Sequence, residues 1–167
     1  MAIFEVKTEK NKDLIQLYRK LNYITDVAST QQYLIYGSAV SIYDPYAQML
    51  AVKQVFNQTE RNAYRHCILS IKTEDEISIA NFKHLSMEVS ELLSNFYGNY
   101  QVVMAVHIDS DNLHAHYVLN TINYLTGERF DLNRRRLIEL KYRVNEILNK
   151  YNISNIKIYS TGSNNEI

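Results

Sequence analysis

The sequence predicts an α+β domain in which helices pack on a central antiparallel sheet, and three observations carry that prediction. Two adjacent β-prone runs, one from Gln101 to Ile108 (QVVMAVHI) and one closing at Asn120, are joined through the polar Ser110-Asp111-Asn112 segment, which can turn the chain back as an antiparallel hairpin. Segments with apolar residues at helical spacing alternate with short strands instead of following them in a block. The chain has 167 residues, 46% of them hydrophobic, which suits one good core. Residues 1–160 are expected to form the domain, and 161–167 a polar tail or a linker to a further C-terminal region.

Taken in order, Ala2 to Val6 alternates as a first strand, and Asp13 caps a helix carrying Leu14, Leu17, Tyr18 and Leu21 that leads to Tyr23. Tyr33 to Ser41, broken at Gly37, reads as a hairpin or as a strand and loop. Asp44-Pro45 starts a second helix with a stripe through Leu50, Ala51 and Val55. Tyr64 to Lys72 (YRHCILSIK) reads as a central strand, followed by an exposed acidic turn, Thr73 to Glu76. The longest amphipathic helix runs from Ile79 to Phe96 through Phe82, Leu85, Val89, Leu92 and Leu93, and Gly98 stops it. After the two hairpin strands comes a Thr126-Gly127 turn, then a helix from Arg134 to Tyr151 capped by Asn133, and a short final strand, Ile156 to Tyr159.

Composition excludes several classes. No apolar stretch approaches bilayer-spanning length and the start, MAIFEVKTEK, lacks a signal-peptide pattern, so a cytoplasmic protein without membrane insertion is expected. One cysteine, Cys67, forms no internal disulfide and founds no thiolate cluster. Eighteen basic and 18 acidic residues cancel, against the basic surplus of most nucleic-acid binders. The segment from Gly127 to Lys157 nevertheless holds eight cations against four anions, including the run Arg134-Arg135-Arg136, so a local basic face is available.

The chemistry concentrates between Val106 and Asn120, where three of the five histidines fall. His114 and His116 are two apart on a strand and project from one face, with only Ala115 between them. The hairpin brings His107 opposite. Three neutral imidazoles converging on one point, with positions left open, make a catalytic metal site. Asp109 is placed to orient a ring N–H as acceptor, and Asn120 to add an amide at the edge.

The pattern His107-x-Asp109-x-x-Asn112-x-His114-x-His116-x-x-x-Asn120 resembles the third motif of the MobA/VirD2-type conjugative relaxases, members of the HUH endonuclease superfamily. His66-Cys67-Ile68-Leu69-Ser70 resembles the family's middle motif, which implies that His66 and Ser70 contact the DNA backbone and support the site. Among 14 tyrosines the residue types alone leave the choice open, with Tyr18, Tyr33 and Tyr36 competing near the N-terminus; the resemblance points to Tyr23, of the early Tyr-Ile pair. Ser29-Thr30 stands where the family carries Lys-Thr.

The resemblance implies a relaxase. Such an enzyme nicks single-stranded or hairpin DNA at an origin of transfer through a covalent 5′-phosphotyrosine, with one divalent ion, relaxosome accessory proteins and the coupling protein of a secretion channel. Tyrosine suits reversible strand transfer because phenolate is both nucleophile and leaving group. Manganese or magnesium is expected in use, although zinc or nickel fits imidazole ligands. Arg134, Arg135 and Arg136 are the candidate phosphate contacts. Two alternatives stand beside this reading: a rolling-circle initiator or transposase with a downstream nucleophile, Tyr142 or Tyr151, and a DNA-binding module without turnover.

Overall fold

The computed structural model describes residues 1–10, 12–72 and 75–159. Thr73 and Glu74 of the acidic turn and residues 160–167 of the tail lie outside the described residues.

Five strands form one antiparallel sheet: β1 (Ile3–Val6), β2 (Ile35–Ser38), β3 (Tyr64–Ser70), β4 (Val102–His107) and β5 (His114–Asn120). Their order across the sheet is β1-β3-β5-β4-β2, with every pair antiparallel, so β3 is interior and the motif hairpin lies in the middle. Four helices cover it: α1 (Leu14–Ile24), α2 (Pro45–Val55), α3 (Ile79–Ser94) and α4 (Arg134–Lys150).

Each helix starts where a short polar side chain can take a free backbone N–H. Asp13 accepts from Gln16 at 2.8 Å, Asp44 from Ala47 at 3.1 Å, Ser78 from Asn81 at 3.2 Å and Asn133 from Arg136 at 3.0 Å. The expected stripe on α2 is wrong. Val55 is exposed, and Met49 and Lys53, one turn apart, face inward. α3 ends at Ser94 rather than Phe96, and the left-handed residue after it is Tyr97, φ 56°, not Gly98. Tyr33 to Ser41 resolves as a 3-10 turn, Gln32–Leu34, then the edge strand and a loop. Gly127, φ 75°, makes the expected turn. The final strand is not formed; Ile156 instead exchanges both backbone hydrogen bonds with the Asn145 side-chain amide, which anchors the segment to α4 without a partner strand.

Strand alternation sorts the core into two layers. Phe4, Cys67, Leu69, Val102, Met104, Val106, Ala115, Tyr117 and Leu119 face α3 and α4. On the other face Tyr64, Val103, Ala105 and Val118 pack with Leu17, Leu21 and Ile24 of α1 and Met49 of α2. All three motif histidines lie on the α1 face, because each is two or four positions from one of that set.

Candidate metal centre and nucleophile

His107 and His114 are directly paired in the hairpin register, and His116 follows two places on. The three rings offer ligand nitrogens all within 4.8 Å of one another. Hydrogen bonds fix which nitrogen each presents. His107 Nε2 lies 2.9 Å from the Ile24 carbonyl and His114 Nδ1 3.0 Å from the Asn112 carbonyl. A carbonyl only accepts, so both of these nitrogens carry hydrogen; His107 presents Nδ1 and His114 presents Nε2.

His116 is held through a longer chain. Its Nδ1 is 2.9 Å from His66 Nε2, and His66 Nδ1 is 3.0 Å from Glu9 Oε1. The carboxylate requires the proton on His66 Nδ1, His66 Nε2 then accepts from His116 Nδ1–H, and His116 Nε2 is left with its lone pair. That nitrogen is buried and has no partner among the described residues, the mark of a group waiting for a ligand. The donor set fits a divalent metal: three neutral imidazoles, two tied by backbone carbonyls and one by a carboxylate–histidine relay.

The electrostatics favour the neutral form of His116, His107 and His66. Burial first, then the neighbouring histidines, hold His116 well below the ordinary imidazole range. Burial also lowers His107 and His66, against the Ile24 carbonyl in one case and Glu9 in the other. Burial alone would raise Glu9, but hydrogen bonds from Tyr64, Lys20 and His66 outweigh it and the carboxyl sits below its usual value. Neutral rings are what metal ligation needs.

Tyr23, near the end of α1, overlies this cluster. Its ring lies edge-on to His116 and His107, with centroids 5.7 and 5.9 Å apart, and its side is 53% exposed, so the phenol is open to a substrate. Lys20, one turn back, pairs with Glu9 at 3.0 Å and sits 5.4 Å from the Tyr23 ring centroid. Tyr18 instead packs on Tyr46, and Tyr36 donates to Glu91 towards α3 on the other face. Tyr142 and Tyr151 are on or just past α4, with Tyr151 bonded to Glu88. After α1 the Thr30 hydroxyl donates to the Val106 carbonyl at 2.6 Å and Ile108 N–H to the Ser29 carbonyl at 2.9 Å. Ser29-Thr30 thus stitches the Tyr23 segment to the strand of His107.

Other expected residues fall differently. Ser70 is paired with His114 across β3 and β5, beside the site. Asp109 is exposed and takes a hydrogen bond from Ser29, which lowers its carboxyl; the ring-orienting acceptors are Glu9 and two backbone carbonyls. Asn112 contributes its carbonyl rather than its side chain to His114. Asn120 is not at the edge of the site: six positions along β5 from His114, about 20 Å, it is fully buried and its amide donates to Met49 and Gln101. Arg134, Arg135 and Arg136 start α4 at that far end, where Arg136 pairs with Asp131 and lies over the Tyr97 ring. Sequence reading missed Glu9 and Lys20. Lys20 at helical spacing from Tyr23 was a findable signal; Glu9, in an irregular loop, carried none.

A histidine pair around one small residue, completed by a third across a hairpin and overlain by a tyrosine, defines the HUH class that the sequence resembles. Residues 23–153 match the sequence model of the relaxase family, MobA/VirD2-like, nuclease domain. The chain belongs to that family. It is 29% identical over 104 residues to Protein rlx of Staphylococcus aureus, spanning 62% of this chain and 30% of that protein. It is 30% identical over 107 residues to Protein TraI of Escherichia coli, spanning 61% of this chain and 14% of that one. The aligned part is therefore less than a third of either relative. In fold it is similar to the MobM relaxase domain, described as Mn-bound and bound to plasmid oriT DNA, with a TM-score of 0.64, 10% identity, and 99% and 95% of the two chains covered. Among the described residues no helix is long and apolar enough to cross a membrane.

Proposed function

We propose that this domain nicks single-stranded DNA at an origin of transfer and holds the new 5′ end covalently on Tyr23, for mobilisation of a plasmid or conjugative element. The observation that carries the reading is the exposed Tyr23 ring lying edge-on to His116 and His107 above three converging imidazoles. The Tyr23 oxygen bonds to phosphorus as its proton leaves, the bond from phosphorus to the 3′ oxygen breaks, and that oxygen takes up one proton to become the free 3′ hydroxyl. The reverse reaction rejoins the strand. His107, His114 and His116 would hold one divalent ion, manganese or magnesium in use, which supplies polarisation of a phosphate oxygen. Glu9 and His66 orient His116, and Lys20 places a cation beside the attacking ring.

Ser70 is proposed to contact the DNA backbone near the site, and Arg134, Arg135 and Arg136 to contact DNA beyond it. Accessory proteins of the transfer complex and a coupling protein are proposed partners, with action in the cytoplasm. The rolling-circle order finds no support in the positions of Tyr142 and Tyr151, since α4 packs with α3 against the opposite face of the sheet.

Incubation with a transfer-origin oligonucleotide and manganese, denaturation, and mass mapping test the proposal. An adduct on Tyr23 carrying the 5′ phosphate is expected. An adduct on Tyr142 or Tyr151, or none with any divalent metal, would overturn it.

A further inference from the structure

The end of the sheet away from the histidines carries a second polar feature that the metal centre leaves unexplained. A cleft of about 290 Å³ is lined by Arg61, Asn62, Arg65, Thr121, Arg129 and Phe130. Three guanidinium groups share it and, among the described residues, no carboxylate lines it, in a chain whose 18 basic and 18 acidic residues cancel overall. Like charges drawn together repel, so the grouping is unfavourable until an anion arrives.

The cleft is built rather than incidental. Arg129 donates from its two terminal nitrogens to the carbonyls of Glu60 at 3.0 Å and Arg61 at 3.2 Å, which fixes its guanidinium. The Thr121 hydroxyl donates to the Asn62 carbonyl. The turn held by these bonds is strained, because Arg61 and Asn62 both take left-handed backbone, φ 55° and 41°. Arg65 Nε is buried with no hydrogen-bond partner among the described residues, although a guanidinium N–H is a permanent donor. Close by in the field of Arg129, Lys53 is wholly buried and its Nζ has no partner among the described residues; burial, then the Arg129 charge, bring its amine down to about 7.

We propose that this cleft seats a phosphodiester group of the bound DNA, outside the scissile bond. Guanidinium forks match phosphate oxygens, and the surplus charge and the orphaned Arg65 donor are what such a group would satisfy. Thr121, one place past the end of β5, lies five positions on from His116, about 17 Å, or about five phosphate steps of one strand in duplex spacing. The cleft therefore suits DNA flanking the nick, such as a hairpin stem, and lies towards the same end as the arginine run at the start of α4. The inference rests on the relaxase reading and adds to it where the flanking DNA runs.

Binding of a labelled single-stranded oligonucleotide, and of one with a hairpin stem, is measured against salt for the parent chain, for Arg61→Gln, and for Arg61→Gln/Arg65→Gln/Arg129→Gln. Arg61 is exposed and its side chain makes no hydrogen bond among the described residues, so the single variant keeps the fold. Each lost contact should lower the log–log slope by about 0.7 to 0.9, while manganese affinity stays unchanged. Phosphorus NMR with orthophosphate alone gives the second arm: the ion should bind weakly, be lost in Arg61→Gln, and be displaced by the oligonucleotide. Unchanged slopes in both variants of a chain that still binds DNA would overturn the cleft and leave the proposed nicking intact. Orthophosphate that DNA fails to displace would assign the cleft to the free ion and overturn its DNA role. A parent chain that binds no DNA would bring down the relaxase reading and this inference together.

Discussion

The two faces of β4 and β5 carry the same strands through opposite tasks. Towards α3 and α4 they show Val102, Met104, Val106, Ala115, Tyr117 and Leu119, all buried in one apolar layer. Towards α1 they show Val103, Ala105 and Val118 over most of their length, then His107, His114 and His116 where β4 ends and β5 begins. The first face is held by packing, where a missing methyl is felt at once. The histidine end of the second is held by directed hydrogen bonds, to Ile24, to Asn112 and through His66 to Glu9. The lesson is that stability and chemistry are separable here: removing a side chain from one face should leave the other's property standing.

The largest effect should come from Tyr23→Phe, which keeps the ring and removes the only atom there able to attack phosphorus. Covalent adduct, read on a denaturing gel, should fall to background, while metal and DNA binding persist. His116→Ala comes next. Manganese binding, followed by calorimetry, should be lost or nearly so, with a thermal midpoint close to the parent's; unchanged affinity would remove the triad from the metal site.

On the other face Leu85→Ala, at a fully buried position of α3, should cost about 2 to 5 kcal/mol in urea unfolding and leave manganese affinity of the folded fraction alone. A large loss of affinity there would break the separation between the faces. Glu9→Gln tests the relay more gently. It should weaken manganese binding by about 10- to 100-fold with Tyr23 still competent at saturating metal.

The pH response should be smaller still and has a definite sign. The folded pKa values of His116, His107 and His66 are lowered, so the unfolded chain binds more protons than the folded one below the ordinary imidazole value near 6.5. Stability of the metal-free protein should therefore be level above that value and decline as pH falls beneath it. A thermal midpoint that rises as pH falls from 6.5 to 5 would contradict the buried, neutral state of His116, His107 and His66.

What the sequence by itself determined is local. Caps at Asp13, Asp44 and Asn133, the turn at Gly127 and the i, i+2 spacing of His114 and His116 each act within one element, through backbone sterics and short-range hydrogen bonds that a linear reading can see. What only the tertiary structure decided is which distant groups meet. Glu9 reaches His66 across 57 positions and His66 reaches His116 across 50, while Asn120, inside the motif, is carried to the far end of the sheet. Asp109 sits closer in sequence to the ligands than Glu9 does, yet the hairpin loop turns it out to Ser29. The reason is physical: a strand's alternation assigns a residue its face, but strand order, register and helix packing assign it its neighbours, and these follow from burying the whole core at once.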